Sequence, residues 1–423
     1  MRTIHYFLLI YWLLLFPSLI IVSAVIDASW WSSVAQLSTA NLLAGSNARP
    51  TCITLQGLSP GQARICELFR DHMPAVGAGA KSAIAANISL ETINSNVTTK
   101  ELILEMRRPH VMIFNLVVIG RKIIKQTINA VDEDECQHQF RNERWNCSTP
   151  YGSGYFGPVH KIGSREAAYT YSILSAGVTH EIGRRCRLGL LQSCGCSQAP
   201  RPSSINEKWA WGGCGDNIEY GYRFSRDFID VREKEEGFPK RSTDHGRSLM
   251  NRWNNEVGRR LLKRNTSPKC KCHGVSGSCN MKTCWMQLPT MRQMGAILLG
   301  KYHTAKRIQI NARGNMQIKS QPGKRDRERG GGRKNRALQT ELVFLDDSPD
   351  YCIENRAQGT VGTIGRICRK GSHGSESCDF LCCGRGYNSY TKETETKCRC
   401  KFQWCCRVVC QTCINQTQVD ICK

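Results

Sequence analysis

Lys269-Cys270-Lys271-Cys272-His273-Gly274-Val275-Ser276-Gly277-Ser278-Cys279, followed shortly by Cys284-Trp285, is the stretch on which the fold of this chain turns. Two cysteines stand on each side of a short segment, so Cys270 can pair with Cys284 and Cys272 with Cys279 as nested rungs of a hairpin. The tip would then be His-Gly-Val-Ser-Gly-Ser, and Gly274 and Gly277 allow the positive φ that a tight turn needs. Such a tip is rigid and projects Ser276 or Ser278 into solvent or toward another protein. A serine between glycines with a histidine three residues away also suggests a hydrolase nucleophile. The nucleophile elbow, however, needs G-x-S-x-G after a strand, whereas position 278 is serine and a disulfide-pinned hairpin is not that strand-to-helix turn. No catalytic residue is expected.

Working outward, the other cysteines set the context. The chain has 423 residues, enough for two or three domains, and its 24 cysteines are uneven: none precedes Cys52, and twelve crowd the 71 residues from Cys352 to Cys422. Arg2 precedes an apolar run, Tyr6 to Val22, and Ser23-Ala24 supplies the small residues of a cleavage site, so residues 1–24 read as a secretory signal peptide. In an oxidising compartment an even cysteine count implies up to twelve disulfides. Cys410-Gln411-Thr412-Cys413 has the spacing of zinc ligands, but C-x-C and vicinal C-C pairs dominate and secretion argues against a structural zinc site, so no metal is expected.

Upstream of the hairpin and at its edge, four segments carry helical periodicity. Ser59-Pro60-Gly61-Gln62 offers a capping box, with Cys66, Phe69, Met73, Val76 and Ala80 following as one stripe. Ser164 can cap a second helix lined by Ala167, Tyr171, Leu174, Val178, Ile182 and Cys186; Tyr220, Phe224, Phe228 and Val231 mark a third, and Leu249, Trp253, Val257 and Leu261 a fourth. These faces predict a helical N-terminal domain over 25–318. A basic, glycine-rich linker over 319–340 follows, with Lys319, Lys324, Arg325, Arg327, Arg329, Arg333, Lys334 and Arg336 around Gly330-Gly331-Gly332. Beyond it no helix of ten residues can be read. A small cysteine-rich β domain over 341–423 is expected, held by crosslinks because so few apolar residues could not hold it alone. The fold class is therefore α+β.

Charge narrows the partners. The chain carries +24, and removing residues 1–24 takes out Arg2 alone, leaving 24 − 1 = +23. Outside the cell this points away from nucleic acid and toward heparan sulfate or acidic membrane surface, approached at a salt-dependent rate.

Cys272-His273-Gly274-Val275-Ser276-Gly277-Ser278-Cys279 resembles the acylated loop of the Wnt family. The resemblance extends to Glu135-Cys136-Gln137-His138-Gln139-Phe140 with Arg144-Trp145-Asn146-Cys147-Ser148, to Trp211-Gly212-Gly213-Cys214-Gly215-Asp216-Asn217, to Ser348-Pro349-Asp350-Tyr351-Cys352, and to Cys398-Arg399-Cys400-Lys401-Phe402-Gln403-Trp404-Cys405-Cys406. It covers nearly all of the mature chain in order. Trp211 to Arg232 and Ala28-Ser29-Trp30-Trp31 most resemble the subclass usually numbered five.

The resemblance implies a secreted ligand of Wnt signalling in development, not an enzyme and without a cofactor. Ser276 would carry an O-linked palmitoleoyl group added by the acyltransferase Porcupine; Wntless would carry the lipid, which then enters a groove of the Frizzled cysteine-rich domain. It implies a C-terminal finger with Cys398 paired to Cys413, Cys400 to Cys410 and Cys405 to Cys406, presenting Phe402, Trp404 and Val408 to the receptor. Pairs carried over elsewhere are Cys136–Cys147, Cys186–Cys194, Cys196–Cys214, Cys352–Cys383, Cys368–Cys378, Cys382–Cys422 and Cys52–Cys66. Subclass analogy suggests β-catenin-independent signalling with Ror- or Ryk-type co-receptors. The protein is expected in the extracellular space and matrix.

One departure is large: 49 residues separate Ile84 from Asp134, where the family pattern runs almost directly on. Deleting the stretch 85–133 would restore that pattern, so it reads as an unspliced intron, with a lineage-specific loop as the alternative. Its apolar run Val111 to Ile119 is too short to span a membrane. Sequons stand at Asn87, Asn96, Asn146, Asn265 and Asn415. The competing classes are a heparin-binding matrix protein and a secreted serine hydrolase. Neither needs an acyl group on Ser276.

Overall fold

The computed structural model describes residues 30, 31, 34, 52, 57–83, 135–147, 157–274, 277–319, 339–403 and 407–423. The signal segment 1–24, the stretch 85–133, residues 320–338 of the linker, Asn87, Asn96, Val275, Ser276, Trp404, Cys405 and Cys406 lie outside the described residues. The described residues of 1–138 and 154–347 form one compact unit, and those of 139–153 and 348–423 another.

Among the described residues the helices with full bounds are, in chain order, α1 (Pro60–Leu68), α2 (Met73–Ala83), α3 (Glu135–Phe140), α4 (Arg165–Arg187), α5 (Ile218–Glu235), α6 (Thr243–Arg264), α7 (Met291–His303) and α8 (Cys378–Leu381). Ser59 and Gln62 close the capping box of α1: the Gln62 N–H donates to Ser59 Oγ at 3.3 Å and the Ser59 N–H to Gln62 Oε1 at 3.1 Å. The stripe from Cys66 to Ala80 is not one helix, because a 3-10 turn over Arg70–His72 separates α1 from α2. Pro74 supplies the reason. It has no N–H for the Arg70 carbonyl, and its ring crowds the turn before it.

Helix α4, capped by Ser164 Oγ accepting from the Ala167 N–H at 3.3 Å, is the axis of the helical unit. Gly79 of α2, Gly221 of α5 and Gly258 of α6 face the carbonyls of Gly177, Thr179 and Ser172 on α4. A Cβ at Gly79 would sit 2.5 Å from the Gly177 oxygen, and at the other two closer still, so backbones touch where side chains would have to part them. Ile173, Leu174, Phe228, Leu262 and Met294 fill the remaining core and are fully buried. Trp30 meets Phe228 edge-on at 6.4 Å, which ties the N-terminal Trp-Trp pair to α5. Helix α7 carries a second capping box, Thr290 with Gln293. A three-stranded sheet of β4 (Lys306–Ile310), β5 (Met316–Ile318) and β6 (Val343–Phe344) completes this unit beyond the hairpin described below.

The second unit has a different interior. One buried cluster is Cys368, Cys378, Leu381, Cys382 and Cys422 with Tyr387 against it, and Phe140, Trp145 and Tyr351 are buried with ring centroids 4.8 and 6.3 Å apart, so cystine sulfur and aromatic rings stand in for an aliphatic core. Cys352–Cys383, Cys368–Cys378 and Cys382–Cys422 are bonded there. Arg366 threads between loops and donates to the carbonyls of Arg141, Glu143 and Arg144 at 2.7–2.8 Å, with burial pulling its pKa below the usual arginine range. Short strands β7 (Glu354–Asn355) and β8 (Thr360–Val361) pair with each other. Strand β9 (Ile367–Cys368) flanks a long hairpin of β10 (Tyr387–Gln403) and β11 (Arg407–Cys422). The chain is thus α+β. Among the described residues no helix is long and apolar enough to cross a membrane.

Candidate functional site

Two hairpins carry the residues singled out in the sequence. The first is β2 (Ser267–Cys272) against β3 (Lys282–Gln287), antiparallel, with Cys270 opposite Cys284 and Cys272 opposite Lys282. Cys270 is bonded to Cys284 across the ladder and Cys272 to Cys279 nearer the tip. A third strand, β1 (Ala210–Trp211), adds in parallel to the other edge of β3, pairing Trp211 with Cys284. Its continuation explains the Trp-Gly-Gly-Cys-Gly-Asp run. A Cβ on Gly215 would lie 2.5 Å from the Met286 carbonyl, and one on Gly213 3.0 Å from the Trp285 ring. Asp216, buried, accepts from the Leu288 N–H at 2.9 Å, and Asn217 caps α5 through the Tyr220 N–H at 3.1 Å. Cys196–Cys214 staples this run, and Cys186–Cys194 the loop after α4. The hairpin is therefore rooted in the helical unit.

At the tip the His273 N–H donates to the Met281 carbonyl at 2.8 Å, the Gly274 N–H to Ser278 at 2.9 Å, and the Gly277 N–H to Gly274 at 3.0 Å. Gly277 has φ +77°, and any side chain on Gly274 would collide with Ser278, so both glycines are required. His273, Ser278 and Met281 are exposed. Ser276 itself lies outside the described residues, between two positions whose backbone bonds fix the entry and exit of the turn.

The second hairpin is the finger, β10 with β11, whose ladder runs from Tyr387 opposite Cys422 to Gln403 opposite Arg407. Cys398 is bonded to Cys413 and Cys400 to Cys410. One extra residue of β10 bulges between Cys398 and Lys401, where Arg399 takes φ +46°. Toward the tip Phe402 and Val408 stand opposite each other, 68% and 61% exposed, with Val409 beside them. Trp404, Cys405 and Cys406 lie beyond the described strands.

The remaining sites are scattered. Cys52 is bonded to Cys66, and Cys136 and Cys147 are both in disulfides. Asn265 ends α6 with its Nδ2 donating to the Leu261 carbonyl at 2.8 Å; Asn415 stands exposed on β11, its Nδ2 donating to Thr396 Oγ1 at 3.2 Å; Asn146 lies beside Cys147. Residues the sequence did not mark include Trp209, whose ring lies 4.1 Å from Lys282 Nζ at the edge of β3. Only an aromatic three residues before the first glycine of the run, with Trp211 between, could have flagged it.

A model of the Wnt family matches residues 116–423. "Protein Wnt-2" of Caenorhabditis elegans is 57% identical over 412 residues, covering 97% of this chain and 98% of that protein. "Protein Wnt-5b" of Xenopus laevis is 42% identical over 395 residues, 93% of each chain, in keeping with the resemblance to the subclass numbered five. Among solved structures the chain is similar to "Human WLS in complex with WNT8A", at 35% identity and a TM-score of 0.46, covering 68% of this chain and 89% of that one. With the family model spanning most of its length and relatives matching almost all of it, this chain belongs to the Wnt family of signalling ligands.

Proposed function

We propose that this ligand is acylated on Ser276 by Porcupine, carried through secretion by Wntless, and bound by a Frizzled cysteine-rich domain that takes the lipid into its groove. The observation that supports it most is the tip between His273 and Ser278: crosslinked twice, backed by a third strand, and closed by backbone hydrogen bonds on each side of Ser276. A lipid held there is presented by a rigid arm. Its roughly fifteen methylenes, at about 0.8 kcal/mol each, offer on the order of ten kcal/mol of burial as an upper limit. The finger gives a second receptor contact through Phe402, Trp404 and Val408. Ror- or Ryk-type co-receptors and a β-catenin-independent branch follow from the subclass, and the basic linker 319–340 holds the protein on heparan sulfate in the matrix.

Ser276→Ala is expected to abolish acylation, Wntless-dependent export and receptor activation, whereas Ser278→Ala leaves an acylated product. Mass spectrometry of the Cys272–Cys279 peptide, with binding to Frizzled cysteine-rich domains with and without Porcupine inhibition, is the test. An unmodified Ser276 in active secreted protein sinks the proposal.

A further inference from the structure

A histidine, a carboxylate and a serine meet in the helical unit, on residues that neither hairpin contributes. The 3-10 turn between α1 and α2 turns His72 inward, its side chain fully buried and its ring centroid 4.7 Å from that of Phe224. His72 Nδ1 lies 2.8 Å from Asp71 Oδ1, and Nε2 lies 2.8 Å from Tyr220 Oη and 3.2 Å from Ser193 Oγ. The second oxygen of Asp71 accepts from the Gln192 N–H at 3.2 Å, which ties the loop after α4 to the carboxylate that orients the ring. Partial burial by itself would raise the Asp71 pKa, but the bonds from His72 and Gln192 outweigh it and hold the carboxyl below its usual range. An ionised carboxylate only accepts, so Nδ1 carries the proton and the Nε2 lone pair faces the two hydroxyls.

Those hydroxyls lie 2.5 Å from each other. Nε2 accepts from one while that one accepts from the other, so a proton leaving Ser193 reaches Nε2 directly or through Tyr220. Ser193 is exposed on a loop held by the neighbouring Cys186–Cys194 bond, so its oxygen can meet a ligand while the base stays shielded from water. The N–H groups of Ser193, Cys194 and Gly195 donate to no protein acceptor among the described residues, which leaves backbone donors beside the hydroxyl for a developing oxyanion. Leu68, Leu188 and Leu190 are exposed on the two segments that supply the group, three residues before Asp71 and within five of Ser193. Such a rim favours a substrate with an apolar chain.

We infer that Ser193 is a nucleophile, with His72 as its base and Asp71 orienting the ring, that takes the acyl group of an ester bearing an apolar chain. Ser193 Oγ bonds to the carbonyl carbon as its proton passes to Nε2; the ester C–O bond then breaks, and Nε2 returns the proton to the departing alkoxide. Acyl-Ser193 and an alcohol result, with no further reactant. The test uses the full secreted protein with two probes: a decyl fluorophosphonate, whose fluoride leaves as Oγ bonds to phosphorus, and p-nitrophenyl octanoate as acyl donor. Peptide fragmentation should place the phosphonate on Ser193 rather than the nearby Ser197, formed about a hundredfold faster than on reduced, urea-unfolded protein. Labelling should fall in acid, where a protonated imidazole can take no proton. Asp71→Asn offers Nδ1 a donor and moves the ring proton to Nε2, so labelling should drop about a hundredfold while unfolding temperature holds. The acid dependence is read on the parent protein and does not depend on how that variant folds. The inference is overturned if Ser193 reacts no faster than Ser197 or the unfolded chain, if labelling is indifferent to acid, or if folded Asp71→Asn labels at the parent rate. Release of p-nitrophenol no faster than by Ser193→Ala would likewise overturn it.

Discussion

The two hairpins share a device and differ in what stands behind it. Each begins with C-x-C on its first strand and closes two disulfide rungs, and the outer loops are nearly equal, with separations of 14 for Cys270–Cys284 and 15 for Cys398–Cys413. In the chain-entropy view each such rung contributes about 3 kcal/mol. Yet Cys284 is fully buried in the sheet it shares with β1, whereas β10 and β11 run 17 and 16 residues with most of their side chains exposed. In the first hairpin the disulfide finishes a packed sheet. In the second it replaces one.

The largest expected effect follows from that contrast. Cys270→Ala with Cys284→Ala loses the loop term and also opens a cavity against β1, so the protein should fail to leave the cell. Cys398→Ala with Cys413→Ala loses a similar loop term from a projecting ladder; secretion should persist and Frizzled binding weaken. Comparing secreted fractions measures both. Equal retention of the two variants would mean that the finger belongs to the folding core and the contrast fails.

Next comes the finger tip. Phe402→Ala removes an exposed ring with no interior to leave, so unfolding temperature should hold, while affinity for the isolated cysteine-rich domain falls roughly thirtyfold, the about 2 kcal/mol of a hot-spot residue. Trp404→Ala should behave the same way. Failed secretion of either variant would place that ring in a core, where truncation costs about 3–5 kcal/mol of stability.

How far these regions can be read from sequence differs for the same reason. Helices α4, α5 and α6 announce themselves by caps and by stripes such as Tyr220, Phe224 and Phe228, because a buried helix face needs apolar residues at a fixed period. The break at Arg70–His72 was marked only by Pro74, which the stripe running through it outweighed. Helix α7 does not stand out in the sequence because Met294, Leu298 and Tyr302 form a short stripe, although Thr290 and Gln293 spell its capping box. The glycine contacts around α4 were invisible, since Gly79, Gly221 and Gly258 show their purpose only when a second backbone is beside them. At the site, cysteine spacing in the tip segment admits the ladder that the structure forms. The support of β3 by β1 could not be read, because a parallel pairing across some seventy residues leaves no local period.

The smallest expected effect tests burial by itself. Two hydrogen bonds of almost equal length accept at a carboxylate: Tyr302 OH to Glu166 at 2.7 Å inside the helical unit, and Gln416 Nε2 to Glu393 at 2.8 Å on the finger. Glu166 is 1% exposed, whereas both finger residues lie in water. Tyr302→Phe takes a donor from a carboxylate that water cannot reach, at a cost of about 1.5–3 kcal/mol even with its other contacts kept. Gln416→Ala lets water replace the amide and should stay within about 0.5 kcal/mol. In thermal unfolding of the secreted protein the first variant should shift by several degrees and the second by a degree or so. Equal shifts would show that the finger's polar rungs hold it as firmly as packing holds the helices, and that its disulfides are not what replaces a core.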